Sequence, residues 1–224
     1  MPAHVASVNL GSREPNAAKT VGFTGIRKGP VDVATLRAPG PKRGGLGSGL
    51  VDDFIGDLRH HGGDSQAVYA FAREELDSWE RRLDVELANG SFGENLTTLG
   101  LDVDGALVGD RWAIGDQVVL EVTGPRIPCA TFAARMGIKG WVKTFAAEAR
   151  SGAYLAVVTS GEVRPGDEVR VVSRPGHDVD LPTTFRAFMG DLEAAERVLA
   201  VGCLPEHELA ALRDMVERRR AKGA

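Results

Sequence analysis

Arg111 to Gly124 reads RWAIGDQVVLEVTG, and Gly161 to Ser173 reads GEVRPGDEVRVVS. In each, a Gly-Asp pair turns the chain into alternating valine positions, the period of a strand with one buried face. Two hairpin-like units of this kind, separated by helical residues, favour a closed or strongly curved antiparallel sheet over a doubly wound parallel one. The expected fold class is therefore mainly β with helices, α+β overall.

The stretches on either side extend this reading. From Ala3 to about Gly56 the chain offers short strands, HVASVNLG (4–11), TVGFTGIR (20–27) and VDVATLR (31–37), rich in Val and Thr with glycines at their ends. The following APGPKRGGLGSG (38–49) is a Gly, Pro and basic loop expected to be mobile without a ligand, and it carries neither phosphate-loop spacing. Between Asp64 and Leu83 the positions Ala67, Val68, Phe71, Leu76, Trp79 and Leu83 recur at helical spacing, which predicts one amphipathic helix. After Pro182, TTFRAFMG, DLEAAERVLAVG and PEHELAALRDMVERRR predict three short helices punctuated by Gly190, Gly202 and Pro205. A boundary near residue 180 divides a β domain at 1–180 from a helical subdomain at 181–224. Helices this short bury too little alone, so they are expected to pack on the sheet or on a second copy of the chain in a homodimer.

With 224 residues, 43% of them hydrophobic, the chain can bury one substantial core and keep a soluble surface. No apolar run approaches a membrane span, and the first residues lack a basic segment leading into an apolar one, so a cytoplasmic protein without a membrane partner is expected. The net charge of −4 disfavours duplex nucleic acid as a partner, and the basic ERRRAKG (217–223) reads as a solvated helix end. Cys129 and Cys203 belong to no CxxC pair, which excludes an internal iron–sulfur cluster and a Cys-rich zinc site.

Three constellations can carry chemistry. In GPRIPC (124–129), Pro125 and Pro128 fix the backbone around the cysteine, and CATFAARMG starts a short helix behind it. The Cys129 sulfur would lie at the positive end of that helix with Arg126 nearby, and both favour the thiolate that binds soft metals or attacks electrophiles. The alternative is a small buried apolar residue. In DLRHHGGDSQAVYAF (57–71), a turn lets one of His60 and His61 face a pocket while the other braces it, Gly62 and Gly63 permit close backbone approach, and Asp64 or Ser65 caps the next helix. A capped helix with two surface histidines fits that stretch equally. In GSFGENLTTLGL (90–101), glycines frame Glu94, Asn95 and Thr97, suited to a heteroaromatic edge, a phosphate or an ordinary turn. HELAA (207–211) begins like a zinc helix, but Ala211 stands where the second histidine is required.

Taken in order, RHHGGDSQAV, FGENLTT, GDRWAIGD and GPRIPC resemble the MOSC domain, the family named for the C-terminal part of molybdenum cofactor sulfurases. The resemblance covers nearly the whole chain. Its length and helical tail are similar to the stand-alone bacterial branch associated with resistance to N-hydroxylaminopurine. It implies a curved antiparallel β-barrel like the pyruvate kinase barrel domain, with a C-terminal three-helix appendage. It also implies a molybdenum-molybdopterin cofactor (Moco) whose metal takes Cys129 as its protein ligand, making Cys129 the catalytic residue. His60, His61 and Asp64 would line the pterin and phosphate side, Asn95 and Thr97 the pterin edge, and Arg126 would offset phosphate or dithiolene charge. Lys28 and Arg59 are added as phosphate contacts. The implied activity is reduction of an N-hydroxylated base or amine, a small-molecule substrate, with electrons from an external reductase. Sulfur transfer through a Cys129 persulfide, and storage or delivery of molybdopterin without turnover, are the alternatives.

Overall fold

The computed structural model describes residues 2–16, 18 and 22–223. In chain order the elements are β1 (His4–Gly11), β2 (Glu14–Pro15), β3 (Phe23–Thr24), β4 (Lys28–Val31), β5 (Ala34–Leu36), β6 (Val68–Ala72), α1 (Arg73–Leu83) and β7 (Leu96–Leu99). Then follow β8 (Arg111–Ile114), β9 (Val118–Pro125), α2 (Ala130–Met136), α3 (Trp141–Glu148), β10 (Ala153–Thr159), β11 (Gly161–Val163), β12 (Val169–Ser173), α4 (Leu181–Phe188), α5 (Leu192–Val201) and α6 (Glu206–Gly223). The strand read from TVGFTGIR survives only as β3, and Thr20 and Val21 lie outside the described residues.

RWAIGDQVVLEVTG is a hairpin, with Ile114 opposite Val118, Trp112 opposite Leu120 and Arg111 opposite Glu121. Gly115 takes the positive φ that its tight turn needs, and Arg111 closes the outer face on Glu121 at 2.8 Å. Val118, Leu120 and Val122 point inward, as the alternation requires. GEVRPGDEVRVVS is not a second hairpin. Its two strands part company: β11 pairs with β5, and β12 pairs with β8. The Gly-Asp turn is present, held by the Arg164 amide donating to Asp167 Oδ2 at 2.8 Å. Which partner each valine strand takes is decided by the rest of the sheet.

The main sheet has eight strands in the order β12-β8-β9-β10-β6-β7-β1-β4. All its pairings are antiparallel except the parallel β6–β7 pair. Register shifts at Val5/Ser7, Tyr154/Leu155, Val157/Thr159 and Val171/Ser173 bend the strands and give the sheet its curl. The expected barrel is not completed: among the described residues no ladder joins the β12 and β4 edges. Instead a single bridge, His4 opposite Glu168, links β1 to the run entering β12. Hydrogen bonds from the Val5 amide to Asp167 O (2.9 Å) and from the Gly166 amide to Val5 O (2.8 Å) flank it.

The helix expected over Asp64–Leu83 is a 3-10 turn at Asp64–Gln66, the strand β6, and only then α1. All five residues of β6, VYAFA, are buried, as a central strand between β10 and β7 demands. An apolar run buried on both faces shows no period of two, so its spacing read as helical.

Two buried clusters result. The larger joins sheet residues such as Val8, Leu96, Trp112, Leu120 and Leu155 to Leu181, Ala187, Ala195, Val198 and Leu212 of the last three helices, which thus pack on the sheet of their own chain. Asp180 and Asp191 start α4 and α5 by accepting the Thr183 and Ala194 amides at 2.8 and 3.1 Å. The smaller is aromatic, with Phe71, Trp79, Phe92, Phe132, Trp141 and Phe145 edge-packed beneath α2 and α3.

Candidate functional site

At the end of β9 the chain turns through Arg126, Ile127 and Pro128 and delivers Cys129 as the N-cap residue of α2, in extended conformation. The Ala133 amide closes the first helical turn on Cys129 O at 3.0 Å. The sulfur is half-buried and lines a cavity. Burial opposes its ionisation. Hydrogen bonding to His61, the Arg126 charge and the Phe132 amide more than compensate, and the thiol is lowered to about 6. The balance favours the thiolate at neutral pH.

The two histidines divide as the turn allows. His61 lines the cavity beside Cys129. His60 turns outward and braces the loop, its Nδ1 lying 3.0 Å from Asp57 Oδ2. Gly62 and Gly63 both take positive φ, but their bareness serves the loop at 38–49: a Cβ at either would come within 2.7 Å of Gly47 or Lys42 backbone. That loop, expected to be mobile, is docked there. The Gly63 amide donates to Gly47 O, the Asp64 amide to Gly40 O, and Asp64 Oδ1 accepts the Gly40 amide at 2.8 Å.

Arg126 is 6% exposed, and its guanidinium sits 4.1 Å from the Phe132 ring centroid and 4.9 Å from that of Tyr69. It donates to Phe92 O, so it ties the Gly90–Gly93 turn to the cavity wall. That turn is in turn folded around Glu94, whose carboxylate accepts the Gly90 and Phe92 amides and the Thr97 hydroxyl. Burial raises the Glu94 pKa against those three donors.

The cavity floor is a saturated network. Lys28, nearly fully buried, is paired with Asp53. Asp53 also accepts the Gly11 amide and the Ser48 hydroxyl, each at 2.7 Å, and Asn95 Nδ2 at 3.1 Å. Burial lowers the Lys28 pKa, with Asp53 opposing the shift. Asn95 is used up as well: Oδ1 accepts the Tyr69 amide, and Nδ2 donates to Asn9 O as well as to Asp53.

Lys28, His61, Asn95, Arg126 and Cys129 therefore meet in one cavity, although they come from four separate segments. Arg59, His60, Asp64 and Thr97 do not line it. Arg59 and His60 are exposed. Asp64 pins the 38–49 loop, and Thr97 is sealed inside, bonded to Glu94 and Asn9. Asp53, Gln66, Tyr69 and Tyr154 also line the cavity and stood outside the expected set. Among the described residues no three His, Cys, Asp or Glu side chains gather as a metal site. Among the described residues no helix is long and apolar enough to cross a membrane.

This chain is 32% identical over 208 residues to an uncharacterized protein, YflK, of Bacillus subtilis, a match spanning 90% of this chain and 89% of that one. A protein named "Reductase" from Gibberella moniliformis is 30% identical over 118 residues, 51% of this chain but 21% of its own length. The crystal structure of YiiM from Geobacillus stearothermophilus shares the fold, with a TM-score of 0.74 at 22% identity over 96% of this chain and all of that one. YiiM from Escherichia coli superposes over all of this chain and 94% of its own with a TM-score of 0.68, again at 22% identity. The model of the MOSC domain matches residues 57–170, from the histidine turn into β12. On the family match and the near full-length relative, the chain belongs to the MOSC domain family.

Proposed function

We propose that this protein is a molybdenum-cofactor-dependent reductase that converts N-hydroxylated bases or amines to the amine. The observation that carries the reading is one half-buried cysteine, lowered to about 6 and backed by His61 and Arg126, at the mouth of a cavity. A soft thiolate beside an imidazole and a guanidinium is a donor set suited to an anionic, sulfur-rich metal cofactor. The reductase named among the relatives agrees with it.

When bound, the molybdenum-molybdopterin group supplies two-electron oxygen-transfer chemistry at the metal. Cys129 would hold the metal, with His61 and Arg126 keeping the sulfur ionised and still. Lys28 and Asn95 are engaged by Asp53 and the backbone, so they shape the floor rather than neutralise cofactor charge. The cavity beside Cys129 holds about 100 Å³ and opens to solvent. Cleaving the N–O bond to amine and water consumes two electrons and two protons. With two cysteines and no flavin or nicotinamide fingerprint, the chain relies on an external reductase for the electrons.

A second reading, sulfur transfer through a Cys129 persulfide, is favoured by the same low thiol pKa. Metal and pterin analysis of protein made in a molybdopterin-producing host separates the two. The reductase reading expects stoichiometric molybdenum, lost in Cys129→Ser, and hydroxylamine reduction with an artificial reductant but not with NADH alone. Metal-free protein carrying one extra sulfur on Cys129 would overturn it.

A further inference from the structure

A second cavity, of about 190 Å³, lies behind the first and shares Gln66 and Tyr154 with it as a common partition. Pro125, Ile127 and Phe188 give it apolar walls, and Glu208 of α6 supplies its one carboxylate. Glu208 is unlike the other acids of the last helices. Glu206 and Glu196 are at least half exposed and paired to Arg213 and Arg220. The Glu208 side chain is 22% exposed, and its nearest basic group is the His207 imidazole of its own helix at 3.8 Å. Burial raises its pKa, with the His207 and Lys42 charges opposing. A carboxylate at the wall of a largely apolar cavity, with no arginine or lysine paired to it and only the imidazole of its own helix at 3.8 Å, can take a ligand that brings a cation or an N–H donor.

We propose that this cavity seats the organic body of the substrate: a flat aromatic ring whose cationic or N–H-rich edge faces Glu208 and whose opposite edge faces the Gln66–Tyr154 partition toward Cys129. Substrate selection thus falls to α4 and α6, and the helical tail is part of the site. The assignment of this ligand as substrate rests on the reductase reading; the cation-selective cavity itself does not.

The test uses the purified full chain without cofactor and two one-ring probes of equal shape, cationic benzamidine and neutral benzamide, measured by calorimetry or ligand-observed NMR. The wild type is expected to prefer benzamidine by about tenfold, the value of one charge-assisted hydrogen bond. Glu208→Gln should erase that preference, and Phe188→Ala should weaken both probes alike while keeping it; thermal melts confirm that each variant folds. Equal binding of the two probes by the wild type, binding of neither, or a preference that survives Glu208→Gln would overturn the proposal. Cofactor content is scored separately: a selective cavity in a chain that never takes up molybdenum sinks the reductase reading alone, and a loaded, active enzyme without selectivity sinks this one alone.

Discussion

The chain holds two half-buried cysteines, and their surroundings push them in opposite directions. Cys203 follows the C-cap glycine of α5, packed against the main core, and burial raises its pKa with only its own backbone to oppose. Cys129 suffers burial too, yet His61, Arg126 and the Phe132 amide carry it down to about 6. Equal burial class and opposite shifts show that charge and hydrogen-bond partners, not exposure, decide which sulfur is reactive. The partners of Cys129 come from the histidine turn, the end of β9 and the start of α2, so its reactivity is a property of the tertiary fold.

The broadest test of this contrast is alkylation. At pH 6, with peptide mapping by mass spectrometry, iodoacetamide is expected to modify Cys129 at least about fifteenfold faster than Cys203: the thiolate fraction differs more than a hundredfold, and lower nucleophilicity returns part of that. Equal rates would break it. The contrast sharpens with His61→Ala, which removes the largest favourable contribution to the Cys129 thiolate. If its pKa rises by about one unit, alkylation at pH 6 slows about fivefold, while the rate at pH 9 is unchanged. The smallest effect on the thiol is expected from Lys28→Met, because Asp53 already absorbs that charge. The pH midpoint of Cys129 alkylation should stay where it is, even though leaving Asp53 buried and unpaired costs about 3–5 kcal/mol in a denaturant titration.

What was legible in the sequence was local. GPRIPC carries its own conformational instructions, two prolines and a helix start, and Cys129 stands where they put it, at the N-cap of α2. The alternation in RWAIGDQVVLEVTG likewise announced a hairpin and its inward face. Partners distant in sequence were not legible. Asp53, in the run VDDFIGD, looks like a surface acid, and only the fold shows it buried under Lys28, Ser48 and Asn95. Asn95 and Thr97 looked like ligand groups because their side chains suit ring edges, but the network around Asp53 and Glu94 claims them first. For β6 a signal existed: AVYAFA is six apolar residues with no polar face, too uniform for an amphipathic helix.

The aromatic cluster has one more bearing on the site. Nine buried residues under α2 and α3 form a core set apart from the one that holds the sheet and the last three helices. Phe132, just inside the helix that Cys129 begins, belongs to this smaller unit, and Phe92, whose carbonyl holds Arg126, belongs to it too. The sulfur and its arginine thus stand on the smaller of the two cores, so a cavity opened at Phe92 or Phe132 would reach Cys129 before it reached the packing of the last three helices.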